Sequence, residues 1–461
     1  MRVSGAHSPA DAAPQEPWAE LRRLIAEGGA DDVLAFLHAL APGEPARAVS
    51  RLDDDERRAL VTLLPPDDAA DLLDTLPETQ AADMIEDLPA ARAAAIVEEL
   101  PSDEQADLLG DLEEEDAEAI LEQMGPARAT AARRLLQYAP DTAGGLMITE
   151  YLAYPVHATV GDVVDDWRTH GEEYADYNVQ YVYVVDAHRL VGVLRIRDLL
   201  LAPLHRPLRE IMLADPLRVR DEASLEQLQR FFEEHTLFGV PVIAAGDRLV
   251  GVVRRAAVEE ALRDQATQNF LAVSGLIGAE ELRSMPLRTR SFRRLSWLSI
   301  NIVLNVIAAS VIAAYQDTLS AVIALAVFLP IISDMSGCSG NQAVAVSIRE
   351  LTLGLVRPYE FMRVVFKEGG VGIINGLALG VLLGTLAFLW KSNVYLGLVV
   401  GTALALNTIL AVLLGGLIPL LLKALKLDPA LASGPILTTV TDMCGFFLVL
   451  SFATVLLGRL A

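Results

Sequence analysis

The chain has 461 residues, a formal net charge of −24 and only two cysteines. The segment from Pro286 to Ala461 is apolar and carries 12 Lys/Arg against seven Asp/Glu, so the preceding 285 residues carry a net charge of −29. A soluble surface this acidic repels nucleic acid and anionic lipid and attracts cations. The two cysteines, both in the apolar segment, exclude a disulfide framework and suit a cytosolic location for the acidic part.

A 12-residue repeat follows an Ala/Pro-rich stretch, residues 1–17, which we expect to be a disordered lead-in without a signal peptide. The repeat is marked by Leu52, Leu64, Leu76, Leu88, Leu100, Leu112, Met124 and Leu136. Four of these leucines, Leu64, Leu76, Leu88 and Leu100, are followed by a proline, at Pro65, Pro77, Pro89 and Pro101, and we expect it at the first position of a short helix. One such helix cannot bury its apolar stripe alone, so residues 18–140 are predicted to form an all-α solenoid. Its 24 acids between Asp53 and Glu122 are expected on the outer faces.

A second repeat with a different period occupies residues 141–263. Short strand-like runs such as Tyr181–Val185 alternate with helical stretches. The sequence Arg-Leu-Val-Gly-Val occurs at Arg189–Val193 and again at Arg248–Val252. Upstream of each copy, Leu146-Met147 is matched by Ile211-Met212. We therefore predict a tandem α/β pair, with one copy at residues 141–203 and the other at residues 204–263.

The rest of the chain is predicted to be a connecting helix, residues 264–286, and an all-α transmembrane domain with five helices, residues 287–461. Each apolar segment is long enough to cross a hydrocarbon core of about 30 Å. The segments are Leu295–Tyr315, Leu319–Ile348, Val371–Trp390, Val394–Leu422 and Ala430–Leu457. Basic residues cluster before the first segment and in alternate connections. By the positive-inside rule, we expect a cytoplasmic N-terminus and a C-terminus outside the cell membrane.

Two of these segments contain residues that lipid should exclude. Asp334 lies in the second and Asp442 in the fifth, and an ionised Asp at the bilayer centre costs at least about 2.5–3.5 kcal/mol. Prolines and paired glycines there are expected to break the helices and expose carbonyl oxygens along a pathway. Carboxylate, carbonyl and hydroxyl oxygens are the ligands of a hard cation. The candidate metal ligands are Asp442, Asp428, Asp334, Asn341 and Thr438, with Glu259 and Asp264 near the connecting helix.

Three motifs resemble the MgtE family of magnesium channels, and the likeness covers nearly the whole chain. They are Asp428–Pro435, Thr439–Gly445 and Asp141–Met147. The resemblance implies a homodimer whose pore lies on the two-fold axis and is lined by the second and fifth helices. It also implies that Asp442 holds a largely hydrated Mg²⁺ through its waters and that Asp428 lies near the cytoplasmic pore mouth. Residues 141–263 resemble a pair of CBS domains, which often sense adenine nucleotides.

Several residues depart from the family's usual pattern. Asp334 stands where the family commonly has Gly, and Gln268 and Asn269 stand where the connecting helix usually carries acids. We therefore expect Mg²⁺ to close this pore less readily. In the CBS pair, Asp198 is the candidate ribose ligand for a bound ATP, whereas the second copy has Ala257 at the matching position.

These patterns together predict a Mg²⁺-selective channel or transporter that closes when cytoplasmic Mg²⁺ bridges the acidic domains. Transport of Co²⁺, Ni²⁺ or Mn²⁺, stepwise antiport and a membrane-anchored nucleotide sensor are alternatives. An intramembrane hydrolase with Asp334 and Asp442 as a dyad is disfavoured, because the last histidine is His235, outside the membrane half. We therefore expect no enzyme. The expected partners are divalent cations, the membrane and a second copy of this chain, with no nucleic acid.

Overall fold

The fold is known from a computed structural model, which describes residues 16–460 except 173, 175–176, 178–179, 274, 277–286, 353 and 358. The chain divides into two compact units, Met1–Arg263 and Asp264–Ala461. The first 15 residues of the predicted lead-in and residues 277–286 of the predicted connecting helix lie outside the described residues.

Ten short helices open the first unit. They are α1 Pro17–Glu27, α2 Ala30–Ala39, α3 Glu44–Val49, α4 Asp54–Leu63, α5 Pro66–Asp74, α6 Glu78–Glu86, α7 Ala90–Val97, α8 Ser102–Asp111, α9 Glu114–Gln123 and α10 Pro126–Leu135. From α4 onward every helix begins 12 residues after the previous one, which confirms the predicted helical repeat. The repeated prolines, however, lie one residue before each helix and not at its first position. Pro65, for example, is extended (φ −53°, ψ 154°), which turns the chain sharply before α5 begins at Pro66.

The repeated apolar residue follows the end of each helix and is buried, from Leu52 to Met124. From α4 to α8, each helix packs against the helix two further along the chain, as α5 does with α7 and α7 with α9. Burying one Leu side chain stabilises the fold by about 1.5–3 kcal/mol. The stacking therefore supplies the core that a single 12-residue unit lacks.

One mixed sheet organises the predicted α/β pair. The elements are β1 Met147–Ile148, β2 Leu152–Pro155, α11 Val160–Thr169, β3 Tyr181–Asp186, β4 Arg189–Arg195, α12 Ile196–Leu201, β5 Leu213–Ala214, β6 Val219–Arg220, α13 Leu225–Glu234, β7 Gly239–Ala244, β8 Arg248–Arg254 and α14 Arg255–Val273. Short 3-10 helices lie at Leu208–Glu210 and Ala245–Asp247. The strand order is β2-β3-β4-β8-β7-β6, so each copy contributes one antiparallel hairpin and one parallel strand. The two hairpins meet where Arg189 pairs with Arg248.

The first strand of each copy pairs with the other copy, because β1 pairs with β8 and β5 pairs with β4. Met147 thereby packs on Gly251, and Met212 packs on Gly192. A Cβ atom added at Gly251 or Gly192 would lie 2.5 or 2.3 Å from the methionine sulfur. The Met of each Leu/Ile-Met pair therefore contacts the Gly of the Arg-Leu-Val-Gly-Val motif in the other copy. The same contact forms twice, once in each direction.

The second unit is helical. Its elements are α15 Leu287–Ala314, α16 Gln316–Ala321, α17 Leu325–Thr352, α18 Phe361–Lys391, α19 Val394–Ala424, α20 Pro429–Val455 and α21 Leu457–Leu460. Five long helices correspond to the five predicted apolar segments. Within the described part of the chain, α15, α18, α19 and α20 contain stretches that are long and apolar enough to cross a membrane. The fifth, α17, is 28 residues long and includes polar and charged side chains.

Two expectations for the membrane half are wrong. The second segment is not helical from Leu319, because Val322 leaves the helical conformation between α16 and α17 (φ −130°, ψ 70°). The predicted helix breaks are also absent from α17 and α20, which run without interruption through Pro330 and Pro435. A proline removes only one bond from the helix ladder, and packing in a helical bundle tolerates that loss.

The central helix of the second unit is α19, which packs against α17, α18 and α20. Small residues permit these close approaches. A Cβ atom at Gly380 of α18 would lie 2.6 Å from the Gly401 carbonyl oxygen, and one at Gly415 of α19 would lie 2.2 Å from the Gly340 carbonyl oxygen. The α17 and α20 helices also contact each other, so both are held against one central support.

Candidate functional site

A polar strip runs along α17 and α20. On α17, Asp334, Cys338 and Asn341 follow one another at spacings of four and three residues and are exposed in the single chain. On α20, Thr438 and Asp442 are four residues apart and half-buried. The two helices are antiparallel, because Ser333 meets Asp442 whereas Gly340 meets Leu437. We call this strip the polar seam; it comprises Ser333, Asp334, Cys338, Asn341, Thr438 and Asp442.

Asp442 is the one predicted ligand of the seam that the structure joins to a second helix. The Ser333 hydroxyl of α17 donates a hydrogen bond to Asp442 Oδ1 of α20. Its second oxygen, Oδ2, accepts no hydrogen bond from the described residues. An acidic side chain at membrane depth is expected to face a partner or a wet cavity. One oxygen of Asp442 is therefore engaged, and the other is left for a cation or its waters.

Asp428, another predicted ligand of the second unit, lies far from Asp442. Asp428 is exposed and caps α20, accepting a hydrogen bond of 2.8 Å from the Ala430 amide. It lies 14 residues before Asp442 on this helix, about 20 Å away at 1.5 Å per residue. The Thr438 hydroxyl donates a hydrogen bond to the Gly434 carbonyl at 3.1 Å. Its oxygen can still accept a hydrogen bond or bind a cation.

Glu259 and Asp264 are both exposed on α14, where a five-residue separation places them on different faces of the helix. Within the described ranges, no three His, Cys, Asp or Glu side chains come together as a metal site. One chain by itself therefore offers a single membrane carboxylate with a defined partner, and not a complete ligand cage.

Sequence reasoning missed two residues behind the seam. Asn407 of α19 is fully buried, and its Nδ2 donates a hydrogen bond of 2.5 Å to the hydroxyl of Ser336, which is also fully buried. The Ser336 hydroxyl in turn donates to the backbone carbonyl of Ile332. The sequence does contain one signal for Asn407, because it is the only amide side chain in the 31-residue apolar helix α19.

In the first unit, carboxylates gather where the solenoid meets the α/β pair. Arg254 forms a 2.7 Å ion pair with Asp103, whose side chain is 9% exposed. Ser102 donates to Glu150 at 2.7 Å and accepts a hydrogen bond from the Thr149 amide. The expectation that the acids lie on outer faces is wrong here, because α8 packs against β1. We call this group the acidic junction; it comprises Asp74, Asp103, Glu104 and Asp107.

Two carboxyls of the acidic junction titrate far from their usual range. Burial, with the charges of Asp74 and Asp103, raises the pKa of Glu104 to about 8. Burial, with nearby acids, also raises the pKa of Asp107 to about 7. Both carboxyls therefore favour a bound proton near neutral pH, and an added cation nearby would favour their ionised form.

A cavity of about 280 Å³ lies in the α/β pair. Its aromatic walls can stack on a purine base. They are Tyr151, Tyr181, Tyr183 and Phe238. The predicted ribose ligand, Asp198, does not line this cavity; it lies in the first turn of α12 and pairs with Arg197 at 3.2 Å.

The cations of the cavity are already engaged. Arg254 pairs with Asp103, and Arg255 donates to the backbone carbonyls of Phe232, His235 and Leu237. Among its described lining residues, the cavity has no unengaged cation for phosphates. The cavity therefore offers aromatic walls to the base of a nucleotide, and part of the donor set of each arginine is already committed within the protein.

Three family models match the chain. The model described as a divalent cation transporter matches residues 329–452. The MgtE intracellular N domain matches residues 20–141, and the CBS domain matches residues 143–205 and 208–264.

The chain is similar to two curated magnesium transporters. It is 32% identical to magnesium transporter MgtE of Thermus thermophilus, over 74% of this chain and 75% of that protein. It is 30% identical to magnesium transporter MgtE of Bacillus subtilis, also over 74% and 75%. A solved cytosolic domain of the Mg²⁺ channel MgtE in complex with ATP is 30% identical, with a TM-score of 0.48, covering 53% of this chain and 99% of that one.

Proposed function

This chain belongs to the MgtE family of magnesium transporters, and we propose that it is a Mg²⁺-selective channel or transporter for divalent cation uptake. The observation that carries the proposal is the polar seam, with Asp442 at its hydrogen-bonded centre. We assign residues 18–140 to the solenoid, 141–203 and 204–263 to the CBS pair, 264–286 to the connecting helix and 287–461 to the membrane domain.

The chemistry of Mg²⁺ suits a site with one carboxylate per chain. The ion holds its octahedral waters tightly and usually keeps several of them in protein sites. A carboxylate with one free oxygen can accept hydrogen bonds from those waters, and neighbouring hydroxyl and amide oxygens can accept others. In this proposal Asp442 binds the hydrated ion, Thr438 and Asn341 contact its waters, and Asp334 and Asp428 attract cations along the path.

A homodimer completes the pathway in this proposal. Asp334, Cys338 and Asn341 are exposed in the single chain, although they belong to an apolar, membrane-spanning unit. Two copies related by a two-fold axis would place two polar seams face to face and remove them from lipid. In this proposal the N-terminus is cytoplasmic and the C-terminus is outside, the orientation that the basic connections favour.

The acidic first unit acts as the Mg²⁺ sensor in this proposal. Two unit charges 4 Å apart repel by about 1 kcal/mol even at the dielectric constant of water. Cytoplasmic Mg²⁺ relieves that repulsion by bridging carboxylates, and Glu259 and Asp264 extend the bridged surface along α14. Binding compacts the sensor and closes the pore, so uptake is limited by its own product.

ATP has no step in this mechanism. The aromatic cavity of the CBS pair is the place proposed for an adenine base. Asp198, the ribose ligand expected from the sequence, lies outside this cavity and has no role in the proposal. The engaged arginines argue against tight binding of the triphosphate. Titration calorimetry with ATP and with adenosine tests this reading, and tighter binding of ATP than of adenosine would contradict it.

The function is tested by growth of a bacterium that lacks its own Mg²⁺ uptake systems. We expect the wild-type chain to restore growth at low Mg²⁺, and Asp442→Asn to abolish the rescue while the protein still reaches the membrane. Asp317→Asn, an exposed aspartate of α16 outside the seam, is the matched control and should rescue fully. Rescue by Asp442→Asn at the wild-type level would refute the proposed pathway.

The purified protein decides between Mg²⁺ and the other divalent cations. Flux measured in proteoliposomes with Mg²⁺, Co²⁺, Ni²⁺ and Mn²⁺ should be largest for Mg²⁺. A larger flux for one of the transition metals would identify that metal as the preferred cargo.

A further inference from the structure

We propose that Asn407 is a positioning residue of the ion pathway, which acts through Ser336 and Ser333 on the Asp442 carboxylate. The inference rests on the proposed role of Asp442 as the ion-binding carboxylate. Asn407 itself lies behind the seam, fully buried in α19, and does not touch the pathway.

Stability alone does not account for an asparagine at this place. The Asn407 Oδ1 atom is buried and has no hydrogen-bond partner among the described residues. A buried polar atom without a partner costs free energy, and an apolar residue of similar size would avoid that cost. The contribution of this side chain is the hydrogen bond that its Nδ2 atom donates to Ser336 Oγ at 2.5 Å.

The hydrogen bond from Asn407 orders the turn of α17 that carries Ser333. Ser336 accepts from Asn407 and donates to the carbonyls of Ile332 and Ser333, the latter at 3.2 Å. The Ser333 side chain leaves this same turn and donates to Asp442 Oδ1. Three helices are thus connected in sequence, from α19 through α17 to α20.

Asn407 also touches the helix that carries Asp442. A Cβ atom added at Gly445 would lie 2.7 Å from Asn407 Nδ2 and 3.3 Å from the Ile332 side chain. Gly445 is three residues beyond Asp442, so the amide lies against the turn of α20 next to the carboxylate. Asn407 therefore sets the spacing of both helices that meet at the Ser333–Asp442 bond.

A fixed carboxylate matters for discrimination between ions. Mg²⁺ with its waters requires near-octahedral geometry, whereas Ca²⁺ accepts flexible and irregular ligand sets. Because Ser333 holds Oδ1, only Oδ2 is presented, and its direction is defined by the helix spacing. Loosening this arrangement should weaken the response to Mg²⁺ more than the response to Ca²⁺.

The test measures Mg²⁺ flux against concentration in proteoliposomes, with Ca²⁺ as competitor. Ser333→Ala should raise the half-saturating Mg²⁺ concentration about tenfold, the ratio expected for one hydrogen bond to a charged group. Asn407→Leu removes a hydrogen bond between neutral groups and should raise it about threefold. Both should also lower the preference for Mg²⁺ over Ca²⁺. Ser333→Thr, which keeps the hydroxyl, should restore most of the wild-type behaviour.

Thr408→Val is the matched control. Thr408 is the next residue of α19, is equally buried, and also has a hydroxyl without a partner among the described residues. Its replacement should leave affinity and selectivity unchanged. If Asn407→Leu folds and behaves like Thr408→Val, the inference is overturned.

Two further results keep the test decisive. If Asn407→Leu does not fold, the pair Ser333→Ala and Ser333→Thr still decides, because equal half-saturation in both refutes the inferred role of the hydroxyl. Loss of flux in Asp442→Asn together with wild-type selectivity in Ser333→Ala would overturn this inference alone. Full flux in Asp442→Asn would instead overturn the proposed function on which it rests.

Discussion

At the scale of single residues, Gly192 and Gly251 occupy equivalent positions with unequal surroundings. The three atoms nearest to a Cβ atom at Gly192 all belong to the side chain of Met212, whereas those nearest to one at Gly251 include the Ile148 carbonyl oxygen, at 2.9 Å, beside Met147. A flexible methionine can move aside, but a paired backbone strand cannot do so cheaply. The pseudo-symmetric contact is therefore stiffer in the second copy.

This difference predicts the order of two substitutions. Gly251→Ala should destabilise the protein by about 1–3 kcal/mol, the usual cost of overpacking, and Gly192→Ala should cost less. Met212→Ala should partly rescue Gly192→Ala, since it removes the clashing side chain. Thermal unfolding of the purified chain measures both effects, and an equal loss of stability in the two glycine variants would contradict the argument.

A second residue-scale prediction concerns Glu104, whose pKa is raised to about 8 by burial and by neighbouring acids. Between its unfolded value of about 4.5 and pH 8, the folded state holds a proton that the unfolded state has released. Stability should therefore fall as pH rises through this window in Mg²⁺-free buffer. Glu104→Gln should flatten the fall above pH 7, where Asp107 has largely titrated.

Thermal unfolding at pH 5–8.5 measures this slope. The control is Glu99→Gln, because Glu99 is an exposed residue just after the end of α7. This variant should keep the wild-type slope of stability against pH. An unaltered slope in Glu104→Gln would mean that the carboxyl is solvated in solution.

At the scale of elements, the contact between α18 and α19 depends on glycine. Gly380→Leu should prevent the two helices from packing, because even its Cβ atom would lie 2.6 Å from the Gly401 carbonyl oxygen. We expect loss of the monodisperse species in detergent and a lower unfolding temperature. Gly370→Leu lies on the same helix, where an added Cβ meets no atom within 4 Å, and should be tolerated. Equal behaviour of the two variants would rule out the close approach.

The other element with a specific prediction is α14, which carries the amides Gln268 and Asn269. An amide offers an oxygen to a bridging cation but no negative charge, so charged ligands should strengthen binding. The double change Gln268→Glu and Asn269→Asp should move Mg²⁺-dependent closure to a severalfold lower concentration in patch-clamp recordings.

The control for added charge is Gln123→Glu, an exposed residue of α9. Closure at an unchanged or higher Mg²⁺ concentration in the double variant would show that this helix does not take part in sensing.

At the scale of the whole molecule, the acidic residues are concentrated in the first unit, which we propose as the sensor, and the apolar residues in the second, which we propose as the pathway. The acidic first unit and the apolar second unit have their own cores, so the sensor and the pathway are separable pieces. Deleting residues up to Arg283 should leave a conducting pore that no longer closes in millimolar Mg²⁺, because the sensor only restrains the gate. Flux in proteoliposomes measures this. A truncated protein that folds but conducts nothing would mean that the first unit helps to build the pathway.

The sequence by itself determined the features that depend on local periodicity. A 12-residue repeat sets the start of each helix from α4 to α10, and apolar length specifies the membrane helices. The duplicated Arg-Leu-Val-Gly-Val motif likewise predicted two α/β copies. These properties are visible in sequence because each is decided by residues within about one turn or one strand of each other. The candidate ligand Asp442 was also visible, since an acid in an apolar segment is costly anywhere in lipid.

Only the tertiary structure decided which distant residues meet. Ser333 and Asp442 are 109 positions apart, and Ser336 and Asn407 are 71 apart, so no local period connects them. The crosswise exchange of Met147 and Met212 likewise depends on strand pairing between copies. Asp103 is buried because of what packs on α8, although its sequence context is that of an exposed acid. Helix and strand periods determine which face a residue occupies, but the partner of that face is chosen by packing.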